Sequence, residues 1–201
     1  LAAHLGPILY KHYQEDQTPD VNFYEMSVDF NRAERNSYLL AKSNLKRWQM
    51  AANNPLKVSA CLEVLNKFKD SNFIIFVYYN DLAEVLKEEL GCPFINSKMG
   101  LRARKDIYQQ FREGKLKGFI SSSVGNESID LPDAELLIQL NGENGNDVEE
   151  AQRLGRLLRP KEKEANFVSL ITKNTIESQK SLERKKLIKA DKVKIKNWPA
   201  H

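Results

Sequence analysis

Asn72-Phe-Ile-Ile-Phe-Val-Tyr-Tyr79 is the stretch on which the fold turns. It is a near-continuous apolar run, too short for a membrane span and without the polar alternation of a half-wet strand. Such runs are found where a strand is buried on both faces, as in a parallel sheet covered by helices. The polar end at Asn80 and Asp81 is the part of this segment that would face a ligand.

Outward from that strand the chain alternates. Helix-like stretches at 81–90, 102–113, 147–159 and 175–190 are interleaved with short strand candidates at 93–95, 117–121, 135–140 and 165–171. Upstream, residues 21–28 read as a short strand after a polar, Pro-containing break at 14–20. Residues 31–52 hold good helix formers without Gly or Pro. Pro55 sits where its missing N–H is harmless, so two helices are expected, at about 31–52 and 55–69. Strand and helix in alternation give an α/β fold with a largely parallel sheet flanked by helices. Gly91, Gly100, Gly114, Gly118 and Gly125 fall near element ends. There is no internal repeat and no low-complexity tract.

The 201 residues suit one main domain. With 41% apolar and 29% charged residues the chain has the means to fold. Lys and Arg total 31 against 27 acidic residues, a net +4 that is too small to announce a nucleic-acid protein unless the charges cluster. Cys61 and Cys92 form no Cys-x-x-Cys or Cys/His cluster, which argues against a zinc site or a disulfide framework and points to a reducing intracellular compartment. No stretch approaches the ~20 apolar residues of a membrane span. Residue 1 is Leu and no signal-peptide layout is present, so the chain reads as an excised fragment.

The most informative chemistry lies in Asp147-Val-Glu-Glu-Ala-Gln-Arg-Leu-Gly-Arg-Leu-Leu-Arg-Pro160. Asp147 and Glu150 make a helix-start pattern and Pro160 a stop. At ~100° per residue from Gln152, Arg156 falls near ~40° and Arg159 near ~−20°, while Leu154, Leu158 and Ala151 gather at about 200–260°. The helix is apolar behind and cationic in front. An exposed face also carries arginines for solubility alone. Against that, the stripe pairs Gln152 with arginines rather than lysines, comes after a strand and a Gly142/Gly145 loop, and places Gly155 where another backbone can come close. Planar, permanently charged guanidinium groups suit phosphate oxygens and the charge spread over a transferring γ-phosphoryl group.

Gln152-Arg-Leu-Gly155-Arg156-Leu-Leu-Arg159 resembles the QxxGRxxR motif VI of superfamily 2 helicases, and Glu150 to Lys161 is similar to the form found in the XPB/Rad25 DNA-repair branch. The resemblance implies a RecA-like second helicase lobe in which Gln152, Arg156 and Arg159 serve ATP hydrolysis, Arg159 being the better arginine-finger candidate. Ser121-Ser-Ser-Val-Gly-Asn-Glu-Ser-Ile-Asp-Leu-Pro132 resembles motif V. There the family pattern gives Gly125 and Asp130, with Gly155 of motif VI, to the nucleotide, and Ser122 and Ser123 to a DNA phosphate. Ser128 departs from the glycine usual before the Ile-Asp pair, which leaves nucleotide geometry there open. Taken alone, Ser121 to Ser123 is equally a polar turn.

The segment Asn96 to Arg104, with Gln109 to Gly114, resembles the family's next strand-loop-helix unit, giving Lys98, Arg102 and Arg104 as further DNA contacts or simply a solvated basic loop. The terminal run Glu183 to Lys196 reads as a basic helix beside DNA, or as a charged outer face. No GxxxxGK phosphate loop ending in Ser or Thr and no Asp-Glu-x-His motif is present. The phosphate cradle and the Mg²⁺ carboxylate would therefore belong to a first lobe, and the chain alone is expected not to hydrolyse ATP. Residues 1–30 resemble the tail of that lobe and the interlobe connection, with 31–201 the second lobe.

The resemblance implies a 3′–5′ DNA helicase or translocase using ATP and Mg²⁺ in nucleotide excision repair or transcription. Its partners would be single-stranded or forked DNA, the first lobe in cis, and a repair nuclease or transcription-repair subunits. Its location would be cytoplasmic in an archaeon or bacterium and nuclear in a eukaryote. Another superfamily 2 translocase of restriction or remodelling type, or a non-enzymatic α/β interaction module, remains the alternative.

Overall fold

A computed structural model of the chain describes residues 21–122, 134–141, 165–185 and 193–198. In chain order the elements are β1 (Val21–Val28), α1 (Arg32–Leu40), α2 (Asn44–Ala52), α3 (Leu56–Lys67), β2 (Phe73–Val77), α4 (Asp81–Leu90), β3 (Phe94–Ile95), α5 (Leu101–Arg112), β4 (Gly118–Ser122), β5 (Leu136–Gln139), β6 (Ala165–Thr172), α6 (Ile176–Lys185) and β7 (Val193–Asn197).

Among the described residues seven strands form one sheet in the order β3-β4-β2-β5-β6-β1-β7, and every pairing there is parallel. Strand periodicity sorts the apolar side chains into two layers, because successive residues point to opposite faces. Phe73, Ile75 and Val77 of β2, with Leu136 and Ile138 of β5 and Val168 and Leu170 of β6, pack with Ala60, Cys61 and Val64 of α3 and Leu82, Ala83 and Leu86 of α4. Ile74, Phe76, Phe119, Leu137 and Phe167 face the other way, onto Tyr108 and Phe111 of α5. The apolar run at 73–77 is thus buried on both faces, as its composition demanded.

Two glycines fix local geometry, one by its backbone angle and one by a close fit. Gly91 ends α4 in the left-handed region at φ 60°, where a side chain is strained. Gly118 opens β4 against the Phe73 ring, and a Cβ there would come within 2.4 Å of it.

Two sequence expectations need correction. The helix expected over 31–52 is two helices. α1 opens with a capping box, Asn31 accepting from the Glu34 N–H and Glu34 reaching back to the Asn31 N–H. It ends at Ala41 in extended backbone, and Ser43 starts α2 by accepting the Lys46 N–H. Residues 21–28, expected as a short strand, form β1, hydrogen-bonded between β6 and β7. The terminal basic run does not remain helical: Val193–Asn197 is the edge strand β7, whose Lys194, Ile195 and Lys196 are exposed, a common way of blunting an edge.

Candidate functional site

In an open parallel sheet, ligands bind beyond the carboxyl ends of the strands, where neighbouring strands send their connections in opposite directions. Here that point lies between β2 and β5. β2 leads through α4 toward β3 on one side, while its neighbour β5 leads toward β6 on the other.

One half of this edge is stitched shut by the turn between α2 and α3. The last carbonyls of α2 have no partner within the helix, and strand ends supply them. The Thr172 hydroxyl donates to Ala51 O at 2.6 Å and the Asn141 amide to Ala52 O at 3.3 Å. The Asn54 amide donates to Asp29 O beyond β1, at 3.0 Å, and to the Thr172 hydroxyl. Lys57, 0% exposed, sends its ammonium to both oxygens of Glu177 at 2.7 and 2.8 Å, and Glu177 also accepts the Thr172 N–H at 2.8 Å. This chain of bonds ties the ends of β1, β5 and β6 to α2, α3 and α6.

Across the switch point the residues differ. Asn141, just past β5, accepts both the Tyr78 N–H at 2.6 Å and the Tyr79 N–H at 3.2 Å, so one side-chain oxygen fixes the turn that leaves β2. The Asn53 amide reaches Asp81 of the same turn at 3.3 Å. On β2's other flank Ser122 ends β4 opposite Val77. Ser122 is 4% exposed, and its hydroxyl has no hydrogen-bond partner among the described residues. A buried hydroxyl left unsatisfied is costly unless another group completes it. The Ser121 hydroxyl donates to Ser122 O at 3.2 Å.

Lys98 lies beyond β3 on an Asx turn, its N–H bound to the Asn96 side chain at 3.0 Å, and both Lys98 and Arg102 are exposed. Arg104 is partly buried. Its guanidinium folds back on Met99 O at 2.9 Å and Asn96 O at 3.1 Å, so it braces the loop that presents Lys98. The sites expected at Ser123, Gly125, Asp130, Gln152, Gly155, Arg156 and Arg159 lie outside the described residues. Among the described residues no group of His, Cys, Asp and Glu is placed to hold a metal ion, and no helix is long and apolar enough to cross a membrane.

Sequence reasoning missed the Asn141 clamp and the Lys57–Glu177 pair. Asn141 carried a weak signal, a polar residue just past a buried strand. Lys57 carried none, since its partner stands 120 residues away.

The model of the ERCC3/RAD25/XPB C-terminal helicase matches residues 15–193. The chain belongs to that helicase family. It is 31% identical over 166 residues to the DNA 3'-5' helicase XPB of Mycobacterium tuberculosis, covering 82% of this chain and 30% of that protein. It is 32% identical over 162 residues to the putative DNA 3'-5' helicase Rad25 of Halobacterium salinarum, covering 81% and 27%. To the general transcription and DNA repair factor IIH helicase/translocase subunit XPB of Enterocytozoon bieneusi it is 34% identical over 173 residues, covering 82% and 27%. The chain therefore spans about a third or less of the length of these relatives. In three dimensions it resembles the C-terminal domain of the DEAD-box protein Dbp5, with a TM-score of 0.64 and 16% identity over 90% of this chain and 91% of that one. A likeness of similar extent to the E. coli DEAD-box protein SrmB has a TM-score of 0.60 at 14% identity, over 91% of each chain. Both establish the fold as that of RecA-like DEAD-box C-terminal domains.

Proposed function

We propose that the chain is the second motor lobe of an ATP-dependent 3′–5′ DNA helicase or translocase. The observation that carries this reading is the family match across residues 15–193, reinforced by relatives named as DNA 3'-5' helicases. On this reading a first RecA-like lobe brings the phosphate cradle and the Mg²⁺ carboxylate, and ATP binds between the lobes. When bound, the nucleotide supplies the free energy for closure and reopening. This chain's part is to present Arg156 and Arg159 to the phosphates and to hold one DNA strand through Ser122, Ser123, Lys98, Arg102 and Arg104. The relatives named as factor IIH subunits support a role in transcription and repair.

Joining the chain to the first lobe of the Halobacterium relative tests this directly. The joined protein should hydrolyse ATP in a DNA-stimulated manner, the 201-residue chain alone should not, and Arg159→Ala in the joined protein should lower the rate by about 10³-fold or more, the scale of an arginine finger. Hydrolysis by the chain alone, or wild-type turnover in Arg159→Ala, would refute the division of labour.

A further inference from the structure

We infer that Tyr78 and Tyr79 form a stacking platform for a nucleobase of the bound strand, an inference that rests on the DNA-binding reading above. The five residues of β2 before them are fully buried, but the two tyrosines are only half-buried. Their rings meet edge to face, 5.0 Å between centroids at 83°. They sit at the switch point between β2 and β5, the place in a parallel sheet where a ligand is received. Their backbone is already fixed, since Asn141 accepts both N–H groups. A backbone fixed in this way has less freedom to lose when a base arrives.

Three adjacent strand ends then present three complementary kinds of group. Beyond β3 stands the exposed ammonium of Lys98, at the end of β4 the buried hydroxyl of Ser122, without a hydrogen-bond partner among the described residues, and beyond β2 the tyrosine pair. At about 4.8 Å between strands the row is roughly 10 Å long, enough for a phosphate and its neighbouring base. Cation, hydroxyl and aromatic face in sequence are the combination that binds a single strand without reading its sequence, because every base offers a π-face. ATP adenine is the competing occupant; the nearby cation and hydroxyl, both suited to a strand's phosphates, favour the nucleic acid.

The test compares a thymidine oligonucleotide with an abasic one of equal length, by fluorescence anisotropy at low salt. Phosphate contacts are the same for both, so the difference isolates stacking. The wild-type chain should prefer the thymidine strand. Tyr78→Ala with Tyr79→Ala should weaken it about tenfold, the scale of one base-on-ring stack, and abolish the preference. Phe at both positions should retain it, and Leu at both, which keeps apolar bulk without a flat face, should lose it. A wild type that binds both strands equally, or a Leu variant that still discriminates, would overturn the platform. So would a variant with unchanged DNA preference and weakened binding of a fluorescent ATP analogue, which would give the rings to adenine. If neither oligonucleotide binds even when the chain is joined to a first lobe, the DNA reading itself fails and the platform with it.

Discussion

Lys57 has no exposed surface, and Glu177 compensates its buried ammonium with both oxygens while also accepting the Thr172 N–H. Replacing Lys57 alone leaves a buried carboxylate uncompensated. Lys57→Met should therefore cost about 3–5 kcal/mol of stability. Adding Glu177→Leu should recover most of that loss, less about 1 kcal/mol for the acceptor taken from Thr172. Urea titration of the two variants checks the claim, and equal losses in both would show that the carboxylate was never the problem. Nothing in the sequence announces this pair, because Lys57 reads as an ordinary polar position on a helix. Arg104 is ambiguous in the sequence for a similar reason. A guanidinium suits phosphate and backbone carbonyls alike, and in the folded loop it meets the carbonyls of Met99 and Asn96.

At the scale of elements, legibility tracked burial. The strands from β2 to β6 could be read because burial on both faces writes an apolar run, and local order writes it without long-range help. The break between α1 and α2 was hidden by the absence of Gly or Pro, and by a cap at Ser43 with Lys rather than an acid three residues on. β7 was hidden by its lysines, which suit an edge strand and an outer helix face equally. Its docking depends on the neighbouring Trp198. That side chain donates from its indole to Glu63 at 3.0 Å, lies beneath the Lys67 ammonium at 4.9 Å, and meets Tyr24 edge to face at 5.8 Å. With β1 as its one strand neighbour among the described residues, β7 should be loosened by Trp198→Ala. The expected cost is about 1–3 kcal/mol, below that of truncating a fully buried tryptophan because Trp198 is only half-buried. Hydrogen exchange should then accelerate at residues 193–197 and remain slow in β2. Unchanged protection at 193–197 would mean that the backbone ladder alone holds the strand.

For the whole molecule, the two cysteines predict how stability responds to alkali. Cys61 on α3 and Cys92 just past α4 are both buried in the layer between those helices and the sheet. Burial pushes the Cys61 thiol well above its ordinary range, and the Cys92 thiol up from 9.0 to about 11. A raised pKa means that the folded protein holds protons the unfolded chain has already released. Their contribution to stability is thus complete below about pH 9, where the unfolded thiols are still protonated, and declines as pH rises toward the folded values. Between pH 8 and pH 10 the chain should lose more unfolding free energy than a variant carrying Cys61→Ala and Cys92→Ala. The variant begins less stable at both pH values because of the lost side-chain volume, but that deficit does not change with pH. Lysine and tyrosine titration is common to both proteins and cancels in the comparison. Parallel declines for the two proteins would show that the buried thiols do not govern the alkaline limb.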